Sequence, residues 1–510
     1  MEGTNTFSPM GVIARQSIKG ALANYLGIII GFLTTFFVVT DLLTEEEIGL
    51  TRVMVDAAML FSGLAQLGTN ASIIRFYPFF KDPSSRDHGF FGWTLLLPLL
   101  GFSLFAIAFF LFRPQLIATF APKSPMIVDY IYYLLPLTFF ALYLTVFETN
   151  SNVLLRIAVP KFIREVGIRV LNLAAYLLYG HGVISLDAFV ICFCGAYAVA
   201  MLMDFFYLLS LGKISFHIDI AFLDRKKVRE MLVYTLFMTV TILAGNIPLI
   251  NSLFLGAKVG LALTGVYTIA SYIANIVEVP YRSLGAISRP MISQAVKEDN
   301  WQEVNRLGQQ VSLHQLLVSS LIFFFIWINL DALFAFIPNG DKYVGGMGVV
   351  FFLGLAKIVN SSLSIGTDIL NFSKSYPLSL LFISVLTAAA LLFNGWLIPL
   401  WGVNGAACAT LFAYGLYFLL MLTFLGIRQK VNILSTKQGI VLLLVGALFL
   451  LNEGWSQWVM PLWGDGTVGL LMDAVCRSLC FLALATWAVY RLRISDAVNA
   501  YIDKFLRRNP

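Results

Sequence analysis

Fourteen long apolar runs follow one another along this chain, and the Lys and Arg residues concentrate in alternate gaps between them. A helix that crosses a bilayer needs about 20 mainly apolar residues, and only helices or closed barrels satisfy their backbone groups in lipid. Barrel strands would alternate in polarity, which these runs do not. The pattern therefore predicts an all-α polytopic membrane protein. The composition agrees, with 59% apolar and 12% charged residues in 510, a balance that no soluble core requires.

The spacing places the spans at about 19 to 40, 50 to 74, 89 to 112, 126 to 149, 164 to 180, 186 to 211, 231 to 254, 262 to 287, 309 to 330, 344 to 368, 377 to 398, 403 to 426, 438 to 453 and 468 to 490. The fifth is crowded at its start by Arg164, Glu165 and Arg169, and the thirteenth is short unless it continues towards Trp458. In the gaps after odd-numbered spans only Arg113, Lys123, Lys258 and Lys342 appear among 34 Lys and Arg, whereas the other gaps and both termini are rich in them. Cations stay in the cytoplasm, so both termini are expected there. The net charge of +6 then reports orientation and not nucleic-acid binding. The first run is too long for a signal-peptide core and is expected to remain as an anchor. Cys192, Cys194, Cys408, Cys476 and Cys480 lie within spans as small packing residues, and no disulfide is expected.

The chain repeats itself. Gly68 to Asp82, GTNASIIRFYPFFKD, ends the second span, and Gly285 to Asp299, GAISRPMISQAVKED, ends the eighth at an offset of 217. At an offset of 220, GVISLDAFVICFCGAYAVAML from Gly182 aligns with GVNGAACATLFAYGLYFLLML from Gly402. The expected organisation is an N-lobe over 1–212, a cytoplasmic linker over 213–230, a parallel C-lobe over 231–426, and two extra spans with a tail over 427–510. Transporters commonly bind substrate between such repeats.

A charge near the bilayer centre costs about 2.5 to 3.5 kcal/mol on insertion scales and should face a cavity or a partner. At 100° per residue, Arg52, Asp56, Gly63, Gln66 and Asn70 share one face of the second span. Ser271, Asn275, Glu278 and Arg282 repeat the arrangement on the eighth, where Pro280 could bend the helix. The first span offers Gly20, Asn24, Gly27 and Gly31, and the seventh offers Thr235, Thr239 and Asn246 before Pro248. Lys357, Ser361, Ser364 and Asp368 form a similar face on the tenth, and Glu148 stands without a local partner. Two readings stay open: a wet cavity wall, or i,i+4 ion pairs Arg52–Asp56 and Glu278–Arg282 with packing glycines at 27 and 31. Asp473 and Arg477 read as a structural pair, His314 as a packed histidine, Glu45 to Glu47 as a solvated outer turn, and Trp455, Trp458 and Trp463 as an interfacial belt. Ile494, Val498, Tyr501, Ile502 and Phe505 share a face, as in an interfacial helix. No GxxxxGK[ST] or HExxH occurs, and no gap exceeds about 20 residues, which leaves no room for a nucleotide-binding domain.

With IARQSIKGALANYLGIIIGF before the first span, EEEIGLTRVM entering the second and LWGVNGAACATLFAYG at the twelfth, the chain resembles the multidrug/oligosaccharidyl-lipid/polysaccharide exporter superfamily. Within it, the polysaccharide or O-antigen flippases are the most similar. The resemblance covers nearly the whole chain. It implies two six-helix lobes around a cavity lined by spans 1, 2, 7 and 8, and an alternating-access flippase of the bacterial inner membrane, not an enzyme. The implied substrate is an undecaprenyl-diphosphate-linked oligosaccharide. Partners would be membrane lipids and other polysaccharide-assembly membrane proteins, and no nucleic acid. Arg52, Arg75 and Arg282 could then hold diphosphate, and Asn24, Gln66, Asn70, Asn246 and Asn275 suit sugar hydroxyls. Asp56, Glu278 and Lys357 would complete the wall. No cofactor or metal is implied; coupling to a proton or sodium gradient, or to membrane potential, stays open. So do a peptidoglycan-precursor flippase and a cation-coupled drug exporter of the same superfamily.

Overall fold

A computed structural model describes residues 9–82, 87–212, 219, 222, 224–243, 247–463, 466–495, 499 and 503. Every regular element among them is helical. The helices used below are α1 (Pro9–Leu33), α2 (Glu45–Ala65), α3 (Thr69–Phe80), α4 (Phe90–Phe120), α5 (Leu134–Val153), α6 (Ile168–Gly180), α7 (Leu186–Ser210), α8 (Arg225–Leu243), α9 (Ile247–Lys258), α10 (Leu261–Asn275), α11 (Val279–Lys297), α12 (Trp301–Ile328), α13 (Met347–Phe372), α14 (Pro377–Phe424), α15 (Thr436–Trp458) and α16 (Thr467–Arg491).

Among the described residues, eleven helical stretches are long and apolar enough to cross a membrane. The difference from fourteen has three local causes. The eleventh and twelfth expected spans merge into α14, which is kinked at Gly402 (φ 55°, ψ −128°), a conformation only glycine adopts readily. The fifth carries Arg164 and Glu165 in a π-helical turn, Ile163–Gly167, and Arg169 at the start of α6. The seventh is divided: α8 ends at Leu243 and α9 begins at Ile247 with Pro248 in its first turn, where a missing N–H does no harm. The thirteenth runs on to Trp458 as α15.

The second and eighth spans are also broken, at different points. The α2 helix opens on a capping box, in which Thr44 N donates to Glu47 Oε2 at 2.9 Å and Glu47 N donates to Thr44 Oγ1 at 3.3 Å. Glu47 is buried and accepts a hydrogen bond from the Tyr179 hydroxyl, so the solvated turn expected of Glu45 to Glu47 is correct for the exposed Glu46 but not for Glu47. The span then stops at Leu67 (φ 48°) and Gly68 (φ 73°) and restarts as α3. A Cβ on Gly68 would strike the Thr235 carbonyl oxygen and approach the Met238 Cβ within 3.0 Å. Gly68→Ala should therefore cost about 2 kcal/mol or more, from left-handed strain plus displacement of α8, read as a lowered thermal midpoint of the purified protein. In the eighth span the interruption is the 3₁₀ turn Ile276–Glu278, immediately before Pro280, which sits in the first turn of α11.

The chain divides into two compact units, Met1–Gly265 and Val266–Pro510. In the first, α5 is packed by α2, α3 and α7, and a cluster of Phe76, Phe80, Phe90, Phe91 and Phe147 with Leu142 and Leu208 forms the core. The α2 and α9 helices approach closely, and a Cβ on Gly256 would lie 3.1 Å from Val53. In the second, α13 lies against α12 and α14, and α15 and α16 close over α12 through Phe324, Phe449 and Phe481. Lipid-facing positions explain the many exposed leucines and phenylalanines of α4 and α15.

Candidate functional site

Each unit holds buried charges, and most of them are paired. On α2, Arg52 Nε donates to Asp56 Oδ2 at 2.6 Å, and the Ser252 hydroxyl of α9 lies near the Asp56 carboxylate. This is the i,i+4 pair expected from spacing. Asp56 is 3% exposed, so the guanidinium is fixed by the carboxylate through a charge-assisted bond. The helix break limits the stripe: Gln66 caps α2, and Asn70 lies beyond two left-handed residues on α3 instead of one helical turn onward. The side-chain carbonyl oxygens of Gln66 and Asn70 are buried without hydrogen-bond partners among the described residues. Such groups await a donor.

Arg75 stands apart from this wall. It is half exposed, stacks its guanidinium 4.2 Å from the Tyr234 ring centroid and lies 3.8 Å from Glu230. Asn24 is half-buried on α1, and Asn246 lies outside the described residues. Gly27 and Gly31 are packing positions: a Cβ on Gly27 would meet the Arg169 guanidinium and the Glu165 carbonyl, and one on Gly31 would lie 3.2 Å from Arg169 Nε.

In the second unit Glu278 accepts hydrogen bonds from Lys357 Nζ at 2.9 Å and from Asn360 Nδ2 at 2.7 Å, both on α13. These partners lie on the neighbouring helix, and whether Glu278 also meets Arg282, the local partner expected from spacing, falls outside the described residues. The Arg282 side chain lies outside the described residues, and Asn275 is exposed at the end of α10. About three turns beyond Lys357 on α13, Asp368 accepts from Arg289 Nε at 3.0 Å, while Arg289 Nη2 donates to the Tyr281 hydroxyl at 2.6 Å. Lys357 and Asp368 therefore act through partners on the broken eighth span. Asn360, Arg289 and Tyr281 were not singled out by sequence; the available signal was Lys357 and Asp368, two charges of the tenth span with no opposite charge one helical turn away.

Glu148 likewise finds its partner across a turn. Arg164 Nη1 donates to Glu148 Oε2, and Arg164 Nη2 donates to Thr145 Oγ1 at 2.7 Å. Asp204 on α7 is fully buried within electrostatic range of both, with neither carboxyl oxygen hydrogen-bonded among the described residues. One cation thus faces two acids. Asp204→Asn should raise the stability of the purified protein by about 1 kcal/mol, because an uncompensated buried carboxylate is removed without loss of a bond; an unchanged or lowered thermal midpoint would refute this. Asp473 and Arg477 form the expected structural pair on α16, joined by Trp455 Nε1 at 2.8 Å and the Ile328 carbonyl at 2.9 Å. His314 contacts Ser495 at 2.7 Å, as a packed histidine. The amphipathic tail after Ser495 lies almost wholly outside the described residues.

Residues 13–296, more than half of the chain, match the model of the family described as polysaccharide biosynthesis protein. The chain belongs to this family. An uncharacterised membrane protein of Methanocaldococcus jannaschii, MJ1068, is 26% identical over 241 residues, and the match spans 45% of each chain. This family member therefore aligns with less than half the length of that curated relative.

Among solved structures, the lipid II flippase MurJ in an inward closed conformation matches with a TM-score of 0.69 at 12% identity, covering 94% of this chain and 100% of that one. An inward-facing multidrug resistance MATE family transporter of the MOP superfamily matches with a TM-score of 0.59 at 16% identity, covering 81% and 95%. The family member thus has the fold of the flippases and exporters named by the resemblance, and it is a multi-pass membrane protein.

Proposed function

We propose that this protein is an alternating-access flippase, not an enzyme, which moves an undecaprenyl-diphosphate-linked oligosaccharide from the inner to the outer leaflet for capsule or O-antigen assembly. Membership of the polysaccharide biosynthesis family carries the proposal. The chemistry suits it: Arg52 is held by the Asp56 carboxylate, whose oxygens stand where phosphate oxygens would bind. An arriving diphosphate exchanges with that carboxylate, so the cation is never left bare in a low-dielectric interior. Arg282 and Lys357 serve the same end in the second half of the chain, with Glu278 as the resident anion of Lys357. The unpartnered carbonyl oxygens of Gln66 and Asn70 accept hydrogen bonds from sugar hydroxyls, and Asn24, Asn246 and Asn275 complete the polar surface. Both termini face the cytoplasm, by the distribution of Lys and Arg. The two parallel repeats and the two additional helices are part of the same proposal.

A second reading, a peptidoglycan-precursor flippase, is favoured by one observation: the fold match to a lipid II flippase extends over 94% of the chain. Complementation separates the two. Restoration of surface polysaccharide in a strain lacking its oligosaccharide flippase supports the first. Rescue of a strain lacking its peptidoglycan-precursor flippase, with no effect on surface polysaccharide, overturns it.

A further inference from the structure

The first unit contains a cavity of about 270 Å³ that none of the charge pairs uses. It lies among α3, α4 and α8, and its walls include Leu97, Leu100, Met231 and Leu232. At its back, Ser72 Oγ and Thr235 Oγ1 are hydrogen-bonded to each other at 2.6 Å, so those hydroxyls ask nothing of an occupant. Trp93 also lines it, and the Trp93 indole N–H is buried without an acceptor among the described residues. A donor of that kind in an apolar pocket costs about 1 to 3 kcal/mol unless a ligand supplies an oxygen.

The cavity's depth and rim identify the ligand. On α4 the lining runs from Phe90 to Leu100, about 15 Å of helix, which is half of a hydrocarbon core about 30 Å thick. Its shallow end meets the start of α8, where Arg225, Lys226, Lys227 and Arg229 crowd five positions and fix that end at the cytoplasmic surface. Arg75, one turn beyond Ser72 on α3, is half exposed there, and Lys227 lies 4.5 Å above the Phe79 ring. An apolar slot about one leaflet deep, with a spare N–H near its mouth and, above it, Arg75 and Lys227 sharing the single acid Glu230 and so keeping a net positive charge, matches one kind of molecule.

We propose that this cavity binds an anionic phospholipid of the inner leaflet, with one acyl chain between α4 and α8, an ester oxygen accepting from Trp93, and the phosphate at Arg75. The bound lipid joins α8 to α3 and α4. The site is separate from the charge pairs proposed to handle the transported headgroup, and it stands whichever substrate is carried.

The full-length protein, delipidated in detergent, is titrated with dioleoyl phosphatidylglycerol or dioleoyl phosphatidylcholine and followed by native mass spectrometry and thermal melting. The expected result is one tight phosphatidylglycerol, retained at least tenfold better than phosphatidylcholine, and a raised melting temperature. Leu100→Trp, which fills the slot from its lipid-facing side, and Arg75→Gln should each lower that affinity about tenfold, with the lipid-induced rise in melting temperature taken against each variant's own lipid-free value. Wild-type phosphatidylglycerol binding in both variants would overturn the proposal, as would equal retention of the two phospholipids. Displacement of phosphatidylglycerol by an equimolar polyprenyl phosphate would overturn it too, by assigning the slot to a prenyl chain.

Discussion

Lys357→Met should destabilise the protein by about 3 to 5 kcal/mol, and Lys357→Met combined with Glu278→Gln should recover most of that loss. Glu278 receives two donors, Lys357 Nζ and Asn360 Nδ2, and Lys357 is 6% exposed. Methionine preserves the length of the side chain and its packing, so what disappears is the charge. A carboxylate that is desolvated and then stripped of its cation pays the full penalty of burial, whereas a neutral Met/Gln pair pays little of it. The measurement is thermal or chemical unfolding of the purified protein, in single and double variants, analysed as a cycle. If the double variant is as unstable as Lys357→Met alone, the pair is not what holds the eighth span to α13, and the cause lies in packing.

Arg52→Ala should reduce surface glycan at least tenfold in a strain that depends on this protein, while the protein still reaches the membrane in normal amount; Arg282→Ala should do the same. A tenfold effect corresponds to about 1.4 kcal/mol in the limiting step, less than a charge-assisted contact to diphosphate supplies. Stability is the control. Arg52→Ala leaves Asp56 with only the nearby Ser252 hydroxyl, and Arg52→Ala/Asp56→Asn removes the uncompensated acid altogether. If the double variant restores glycan export, Arg52 matters only as the partner of Asp56. If export stays lost in a stable double variant, the guanidinium itself serves transport. Wild-type glycan with Arg52→Ala and with Arg282→Ala would return both arginines to structural roles.

Much of this arrangement is legible in the sequence wherever the relevant interaction is short in range. Apolar runs foretell the helices because burying backbone in lipid leaves no alternative to them. Arg52–Asp56 and Asp473–Arg477 could be read directly, since four residues is one turn. Glu278–Lys357 and Arg289–Asp368 could not, because each pair is 79 residues apart and nothing in a single sequence states which helices adjoin. The break at Leu67–Gly68 was hidden for another reason. Hydropathy is blind to φ, and a glycine in an apolar run looks the same whether it lies inside a helix, as Gly285 does, or ends one, as Gly68 does. The misread at Asn70 follows from that break, because a periodicity of 3.6 holds only while the helix continues. Glu47 was misjudged because a capping carboxylate and a solvated one have the same letter; the Thr44 three residues earlier was the available clue.

The helical stretch from Ala158 to Gly180, with Arg164, Glu165 and Arg169 near its start, has a consequence for how the chain is made. Each arginine at depth opposes partitioning from the translocon by about 2.5 to 3.5 kcal/mol, so this segment is a poor candidate to enter the bilayer unaided. The residues that solvate Arg164 are on α5, at Glu148 and Thr145, and α5 leaves the ribosome just before it. The two segments are separated by a connection of only a few residues. They would enter together as a helical hairpin, with the ion pair formed before either helix meets lipid alone. Biogenesis, then, depends on a contact that the finished protein merely keeps: a chain carrying Glu148→Gln would be recovered with 158–180 uninserted more often than its small loss of hydrophilicity suggests.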